Sequence, residues 1–366
     1  MRTRDVLARI GPDEFAVGFV SVKGTAGCEI AARKIQAVFA SPFEVAGRSV
    51  PISASFGVSV CPEDGEDAPA LVRSADAALR HAKTREGGAL EFFRREMTAR
   101  AMESLEIETK LREAIANGGR PLHAQRQVEV ETGRVVGAGA PVRGKAPVRG
   151  LIPPGVFIPV AEERGLIVPL GEWVLRAAAT QLRRWLDDGL PPIIVAVNVS
   201  AAQFRSPDFE GRLVGTLEET GVPPELIELE LTESILARDV EAAAALLARL
   251  RSRGLSISID DFGTGYSSLG YLRKFPLQRL KIDQGFVREI WNDPSAAAIV
   301  RTVIGMSRGL GLKVVAEGVE EKRQYSFLRF HGCDEAQGYF IKRPVPPEAF
   351  RAFLEAGDFD PDAPAA

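Results

Sequence analysis

The stretch that decides the fold is Ser258-Ile-Asp-Asp-Phe-Gly-Thr-Gly-Tyr-Ser-Ser268, and an apolar run at 255–259 leads into it. A short β-branched run that ends in two adjacent carboxylates predicts a buried strand with Asp260 and Asp261 at its C-terminal tip. Two adjacent acids repel each other unless a cation lies between them, and oxygen ligands favour Mg²⁺, Mn²⁺ or Ca²⁺. The alternative, an Asp pair that caps the next helix, stays open on this stretch alone.

The same pattern recurs outward from this strand. Between residues 120 and 356, apolar β-rich runs alternate with amphipathic helical stretches, which predicts an α/β domain with a (β/α)₈ barrel. Polar side chains that can bind a metal follow the predicted strands at one end: Asn198, Glu230, Asp260, Asp261, Lys281, Glu317 and Gln337. Active sites of such barrels lie at that end, so we expect these side chains to converge.

The rest of the chain predicts a smaller α+β domain and a connection. Residues 1–95 contain a hairpin that turns at Gly11-Pro12, helices near 25–40 and 67–84, and a strand near 50–60. Residues 96–119 predict one connecting helix that ends at Asn117-Gly118-Gly119. Residues 357–366 are expected to be a disordered tail.

Composition excludes several classes of protein. A net charge of -3 gives no electrostatic case for nucleic acid or for an anionic membrane. The cysteines, Cys28, Cys61 and Cys333, are scattered and odd in number, which favours a reducing cytoplasm over structural zinc or disulfides. No apolar run approaches the roughly 18 residues of a membrane span, so we expect no membrane segment.

The N-terminal region resembles the second half of the GGDEF (diguanylate cyclase) domain. The resemblance rests on Gly11-Pro-Asp-Glu-Phe15, Ser53-Ala-Ser-Phe-Gly-Val-Ser59 and Ala75-Asp-Ala-Ala-Leu-Arg-His-Ala-Lys83. Pro12 replaces the second glycine of the signature, which removes a backbone N–H beside a phosphate. The first half of the family domain is missing, so we expect a truncated, degenerate domain without cyclase activity.

A second resemblance covers about 122–354. It is carried by Val197-Asn-Val-Ser, Glu230-Leu-Thr-Glu-Ser, the stretch that begins at Asp260, Lys281-Ile-Asp-Gln-Gly-Phe, Val315-Ala-Glu-Gly-Val-Glu and Ala336-Gln-Gly-Tyr. These motifs resemble the EAL family of cyclic di-GMP phosphodiesterases in order and spacing. The resemblance implies a modified TIM barrel that hydrolyses cyclic di-GMP to linear pGpG with Mg²⁺ or Mn²⁺.

The resemblance also implies roles for individual residues. The implied metal ligands are Asn198, Glu230, Asp260, Asp261, Asp283 and Glu317, with Lys281 and Glu317 as catalytic residues if the enzyme is active. The implied ligand-binding residues are Gln125, Arg143 and Gln337. The implied loop for gating and dimer coupling consists of Gly263, Thr264, Gly265 and Glu320.

One segment departs from the family pattern. Gly139-Ala140-Pro141 stands in place of the Glu-Ala-Leu that names the family, so the site lacks a carboxylate that would contact the metal. Gly144 replaces a tryptophan, and Ala124-Gln125-Arg126 replaces Tyr-Gln-Pro, which removes large side chains beside the site. We expect a weakened metal site that an ion need not occupy.

These observations predict a non-catalytic receptor for cyclic di-GMP or another regulatory module. An active phosphodiesterase, a nucleotide-blind interaction scaffold with an unknown protein partner, and a truncated or decaying gene remain alternatives. The resemblance further predicts a homodimer through the loop.

Overall fold

The structure, a computed structural model, describes residues 5–20, 22, 24–45, 47–83, 88–116, 123–140, 144–146, 150–264, 272–356 and 358–362. The chain divides into two compact units, Met1–Ile107 and Glu108–Ala366. None of the helices in the described ranges is both long enough and apolar enough to cross a membrane.

The first unit is a small α+β assembly, as predicted. Its elements are β1 (Val6–Arg9), β2 (Phe15–Gly18), α1 (Gly24–Val38), β3 (Phe43–Val45), β4 (Arg48–Val50), β5 (Phe56–Val58), α2 (Ala68–Lys83) and β6 (Leu90–Phe92). β1 and β2 form the predicted antiparallel hairpin, and β5 pairs in parallel with β6. A Cβ at Gly57 would lie 2.1 Å from the Ala75 carbonyl oxygen, so only glycine lets α2 pack this closely on β5.

A long helix follows this assembly. α3 runs from Arg95 to Ala116 and so begins one residue before the helix predicted at 96–119. The predicted stop at 117–119 lies outside the described residues.

The second unit is a closed eight-stranded barrel, which confirms the predicted fold class. Its strands and the neighbouring hairpin are β7 (Gln125–Glu129), β8 (Val135–Gly139), β9 (Gly144–Ala146), β10 (Gly150–Ile152), β11 (Ile194–Asn198), β12 (Ile227–Thr232), β13 (Ser256–Phe262), β14 (Arg279–Ile282), β15 (Lys313–Ala316) and β16 (Glu335–Gln337). The barrel runs in the order β11 to β16, then β7 and β8. β7 is antiparallel to both of its neighbours, so this is a modified form of the all-parallel barrel.

Helices surround this barrel. They are α4 (Pro154–Glu163), α5 (Ile167–Asp187), α6 (Ala201–Phe204), α7 (Phe209–Thr220), α8 (Glu233–Ala237), α9 (Val240–Ser252), α10 (Gln284–Glu289), α11 (Pro294–Leu310), α12 (Lys322–Phe330) and α13 (Pro347–Ala356). α5 buries Val174, Ala178 and Leu182 on one face, because residues four apart share a side of a helix. Burial of each such leucine side chain contributes about 1.5–3 kcal/mol to the stability of the fold.

Residues 358–362, inside the segment 357–366 for which a disordered tail is predicted, contact other parts of the second unit. The Phe359 ring lies 5.7 Å from that of Tyr325 and 5.6 Å from that of Phe340. The Phe359 amide donates to the Gly133 carbonyl at 2.7 Å, and the Lys322 ammonium pairs with Asp362 at 2.6 Å. Aromatic packing and these polar contacts therefore hold residues 358–362 in place.

Candidate metal and nucleotide site

Four predicted site residues meet at the strand ends of the barrel. The Lys281 Nζ lies 2.6 Å from Glu230 Oε1, 2.5 Å from Glu317 Oε1 and 3.2 Å from Asp260 Oδ1. These side chains come from β12, β13 and β14 and from the residue after β15, so the parallel strands deliver them to one edge. We call Glu230, Asp260, Lys281 and Glu317 the acidic cage.

Asn198 borders the acidic cage. It is the last residue of β11, and its Nδ2 donates to Glu230 Oε2 at 2.6 Å. β11 and β12 are paired in register with Asn198 opposite Glu230, which is why the two side chains meet. The amide therefore fixes one oxygen of Glu230 while the other faces Lys281.

Asp261 extends the cage outward. Oxygen atoms of Asp260, Asp261 and Glu317 all lie within 4.8 Å of one another. Asp261 has φ 53°, a left-handed conformation that no other non-glycine residue adopts in the described ranges. Such strain costs on the order of 1–3 kcal/mol and is typical of functional sites. The Asp261 carbonyl accepts from Thr264 Oγ1 at 2.8 Å, which helps to hold this turn.

Burial and like charge dominate the electrostatics of the cage. Burial raises the pKa of Glu230 to about 8, with Lys281 opposing and Asp260 and Glu317 adding to the rise. Burial, then the nearby carboxylates of Asp260 and Asp283, raise the pKa of Asp261 to about 6. Burial lowers the Lys281 pKa, but three carboxylates outweigh burial and leave it well above its usual value. The ammonium therefore stays charged at neutral pH.

The donor set fits a hard divalent cation. Asp260, Asp261 and Glu317 offer oxygen atoms close enough to share one ion, and oxygen ligands suit Mg²⁺ and Mn²⁺. Asp283 caps α10, where its Oδ1 accepts from the Gly285 amide at 2.9 Å, and it is near enough to perturb Asp261. Which ion binds, and how tightly, stays a prediction.

The wall opposite the cage carries amides instead of acids. Gln337 Nε2 donates to Gln125 Oε1 at 2.9 Å, and Gln127 Nε2 donates to Gln337 Oε1 at 2.9 Å. Gly139, the last residue of β8, is buried beside them. A Cβ built on Gly139 would lie 3.2 Å from Gln337 Nε2 and 3.4 Å from its Oε1. Position 139 thus points at Gln337, and no carboxylate is present there.

The predicted loop residues lie only partly within the described ranges. The exposed Gly263 has φ 100°, and its amide donates to Glu233 Oε1 at 3.0 Å. Glu320 lies 3.4 Å from Arg288, and both are exposed. Gly265 and Arg143, predicted for the loop and for phosphate binding, lie outside the described residues, as does Pro141.

Small side chains line a cleft on the outer side of the same wall. Ala124, Ala138 and Ala140 lie on the strand side of this cleft, and Trp185 of α5 forms the far side. Whether the small side chains at and near Ala124 loosen the packing stays a prediction. The buried His123 also lines this cleft.

A charged layer that the sequence patterns did not reveal lies one step deeper in the barrel. Arg279 Nη1 lies 2.6 Å from Glu228 Oε2, and its Nε lies 3.1 Å from Glu335 Oε2. Lys313 also pairs with Glu335, at 3.2 Å. We call Glu228, Arg279 and Glu335 the buried triad. These residues precede Glu230, Lys281 and Gln337 by two positions, and that alternation is the signal that could have revealed them.

Family comparisons agree with both motif-based resemblances. The EAL domain family matches residues 108–344, and the diguanylate cyclase GGDEF domain family matches residues 1–88. The bifunctional diguanylate cyclase/cyclic di-GMP phosphodiesterase MucR of Pseudomonas aeruginosa is 41% identical over 352 residues, which cover 96% of this chain and 51% of MucR. The cyclic di-GMP phosphodiesterase PdeR of Escherichia coli is 40% identical over 352 residues, which cover 96% of this chain and 52% of PdeR.

The chain therefore spans about half the length of the curated relatives it matches. Among solved structures, the PaMucR phosphodiesterase in complex with c-di-GMP gives a TM-score of 0.65 at 43% identity. The match covers 67% of this chain and 99% of that one. The EAL domain of Mycobacterium smegmatis DcpA gives a TM-score of 0.55 at 34% identity over 66% of this chain and 97% of that one.

Proposed function

Since the chain belongs to the EAL domain family, we propose that it is a cyclic di-GMP signalling protein whose barrel binds the nucleotide with little or no hydrolysis. Its relatives MucR and PdeR are cyclic di-GMP phosphodiesterases by name, and the similar MucR structure holds c-di-GMP. The proposal includes a degenerate GGDEF-like segment at 1–95, a connecting helix at 96–119 and the EAL barrel at 120–356.

Gly139 is the observation that carries the non-catalytic part of this proposal. Its position faces the site and contacts Gln337, where the family resemblance places a glutamate. A group that only supports a metal ligand typically changes metal affinity or activity about 10–100-fold. Loss of a carboxylate that touches the ion should cost at least as much. Nucleotide binding does not need that carboxylate, so the protein can still bind the nucleotide after it has lost the ability to hydrolyse it.

A metal would be held by Asp260 and Glu317 of the acidic cage together with Asp261, which would supply the carboxylate oxygens. Asn198 and Glu230 lie next to them. A bound divalent ion polarises a phosphoryl oxygen and lowers the pKa of water. Lys281, charged and within 3.2 Å of three carboxylates, would orient a water molecule near them. Gln125 and Gln337 would contact a phosphate.

An active phosphodiesterase is the second candidate. The observation in its favour is that Asp260, Asp261 and Glu317 keep a metal-competent arrangement despite the glycine at 139. The two candidates differ in one measurable quantity, the release of linear pGpG.

Calorimetry with cyclic di-GMP, with and without Mg²⁺ or Mn²⁺, tests the proposal together with chromatography for pGpG. We expect binding in both conditions and no product beyond a no-enzyme control. Product formation at a rate that depends on Mn²⁺ and is lost in Asp260→Asn would establish the enzyme instead. Absence of both binding and product would leave an interaction scaffold.

A further inference from the structure

Three glutamine side chains form a continuous hydrogen-bonded chain inside the barrel. Gln127 Nε2 donates to Gln337 Oε1, and Gln337 Nε2 donates to Gln125 Oε1, each at 2.9 Å. Gln127 is only 2% exposed. We call Gln127, Gln337 and Gln125 the amide chain.

The amide chain has a direction. β7 is antiparallel to its neighbours, so Gln125 lies opposite Gly139 at the end where the other strands finish, while Glu129 lies opposite Glu335 at the far end. Gln127 donates across to Gln337, its register partner on β16, and Gln337 donates to Gln125, which lies nearer the mouth of the barrel. The chain therefore ends at the mouth in the NH₂ group of Gln125.

Two glycines on β8 make room for this arrangement. Gly137 lies opposite Gln127 in the β7–β8 register, and a Cβ on Gly137 would lie 2.5 Å from Gln127 Oε1. Gly139 presents no side chain to Gln337. Because Gly137 and Gly139 have no side chains, the glutamine side chains occupy the space beside the inner face of β8.

We propose that Gln127 is a positioning residue that orients Gln337 and Gln125, so that this wall presents an N–H donor to an anionic phosphodiester oxygen. Hydrogen-bonded amides polarise one another, which strengthens the last donor. A carboxylate at the same wall would repel that oxygen. Gln127 acts through Gln337 and does not itself reach the mouth.

The inference rests on the proposed function and adds a specific consequence. The carboxylates of Asp260, Asp261 and Glu317 attract cations, whereas the NH₂ group at the end of the amide chain attracts anions. Binding of cyclic di-GMP through the amide wall requires no divalent ion, so the affinity measured in EDTA depends on the direction of the amide chain.

Two substitutions at Gln127 test this direction by calorimetry in EDTA. Gln127→Met removes the first donor, and we expect the Kd for cyclic di-GMP to rise about 3–10-fold. Gln127→Glu is compared with wild type at pH 9, so that the buried carboxyl is ionised and accepts instead of donating. Gln337 must then turn over, and its Oε1 engages the Gln125 NH₂. We expect a rise of about 10–100-fold, because the lost bond is to a charged group. Asn292→Asp, the same amide-to-carboxylate change in the exposed turn between α10 and α11, is the matched control and should bind as wild type.

A ligand-free measurement separates positioning from damage to the fold. In proteins with ¹⁵N-labelled glutamine side chains, Gln127→Glu should shift the NH₂ signals of both Gln337 and Gln125 while the backbone signals of β11–β14 stay in place. Gln127→Glu binding as tightly as wild type, or Asn292→Asp binding as weakly as Gln127→Glu, would overturn the inference. Failure of the wild type to bind would instead overturn the proposed function on which it rests.

Discussion

Replacing Gly139 by glutamate tests the site most directly. A Cβ at this position would lie 3.2 Å from Gln337 Nε2, which is the end of a flexible side chain and can move by a few tenths of an ångström. Gly139 does not have a positive φ, so the backbone accepts a side chain there without strain. We therefore expect the variant to fold and to place a carboxylate beside the amide wall.

The magnitude follows from the charge that the site lacks. A group that supports a ligand indirectly is worth about 10–100-fold, so a carboxylate that contacts the ion should tighten Mn²⁺ binding about 100-fold or more, about 2.7 kcal/mol. Gly139→Gln fills the same space without a charge and is the matched control. Titration calorimetry with Mn²⁺ measures the affinity, and chromatography for pGpG measures whether hydrolysis returns.

The reasoning fails if Gly139→Glu binds Mn²⁺ no more tightly than Gly139→Gln. It also fails if the wild type already binds Mn²⁺ and releases pGpG as fast as the glutamate variant. Gain of metal binding without gain of product would show that the changes at Ala124 and around Gly144 damage the site further.

Three more predictions concern other parts of the chain. Arg279→Met leaves the buried Glu228 without its Arg279 partner and Glu335 with Lys313 alone, so we expect a loss of about 3–5 kcal/mol in the free energy of unfolding, measured in urea. Glu228→Gln/Arg279→Met/Glu335→Gln should recover most of this loss, and equal stabilities of the two variants would contradict the reasoning. Burial raises the pKa of Cys333 to about 12, so this thiol should not react in the native state. A thiol reagent should label the exposed Cys61 in the native protein and Cys333 only after unfolding, which mass spectrometry measures. Mn²⁺ must displace protons from Glu230 and Asp261, whose pKa values are about 8 and about 6. The increase in melting temperature that Mn²⁺ causes should therefore grow from about pH 6 to about pH 8. An increase that stays constant over this range would count against these carboxylates as the metal site.

The sequence predicted the fold well because strand ends repeat one pattern. Asn198, Glu230, Asp260, Lys281 and Glu317 each follow an apolar run, and parallel strands bring such residues together without further information. The hairpin at Gly11-Pro12 could also be predicted from a short stretch of sequence, since glycine and proline determine the turn.

The sequence could not reveal which polar groups would pair inside the barrel. Glu228, Arg279 and Glu335 lie far apart in the chain, and the register of distant strands determines their contact. The amide chain likewise depends on β7 running antiparallel, which places Gln127 opposite Gln337. The packing of Phe359 on Tyr325 depends on the path of the chain after α13, and no local pattern specifies it.

The ordered end of the chain has a practical consequence for anyone who excises the barrel. The family match stops at residue 344, yet α13 begins after it and stacks Phe350 on Trp185 with ring centroids 5.2 Å apart. A boundary drawn at 344 would strip this aromatic cover and uncover Tyr325 as well, inviting aggregation. Expression boundaries for crystallisation or calorimetry should therefore extend to at least residue 362.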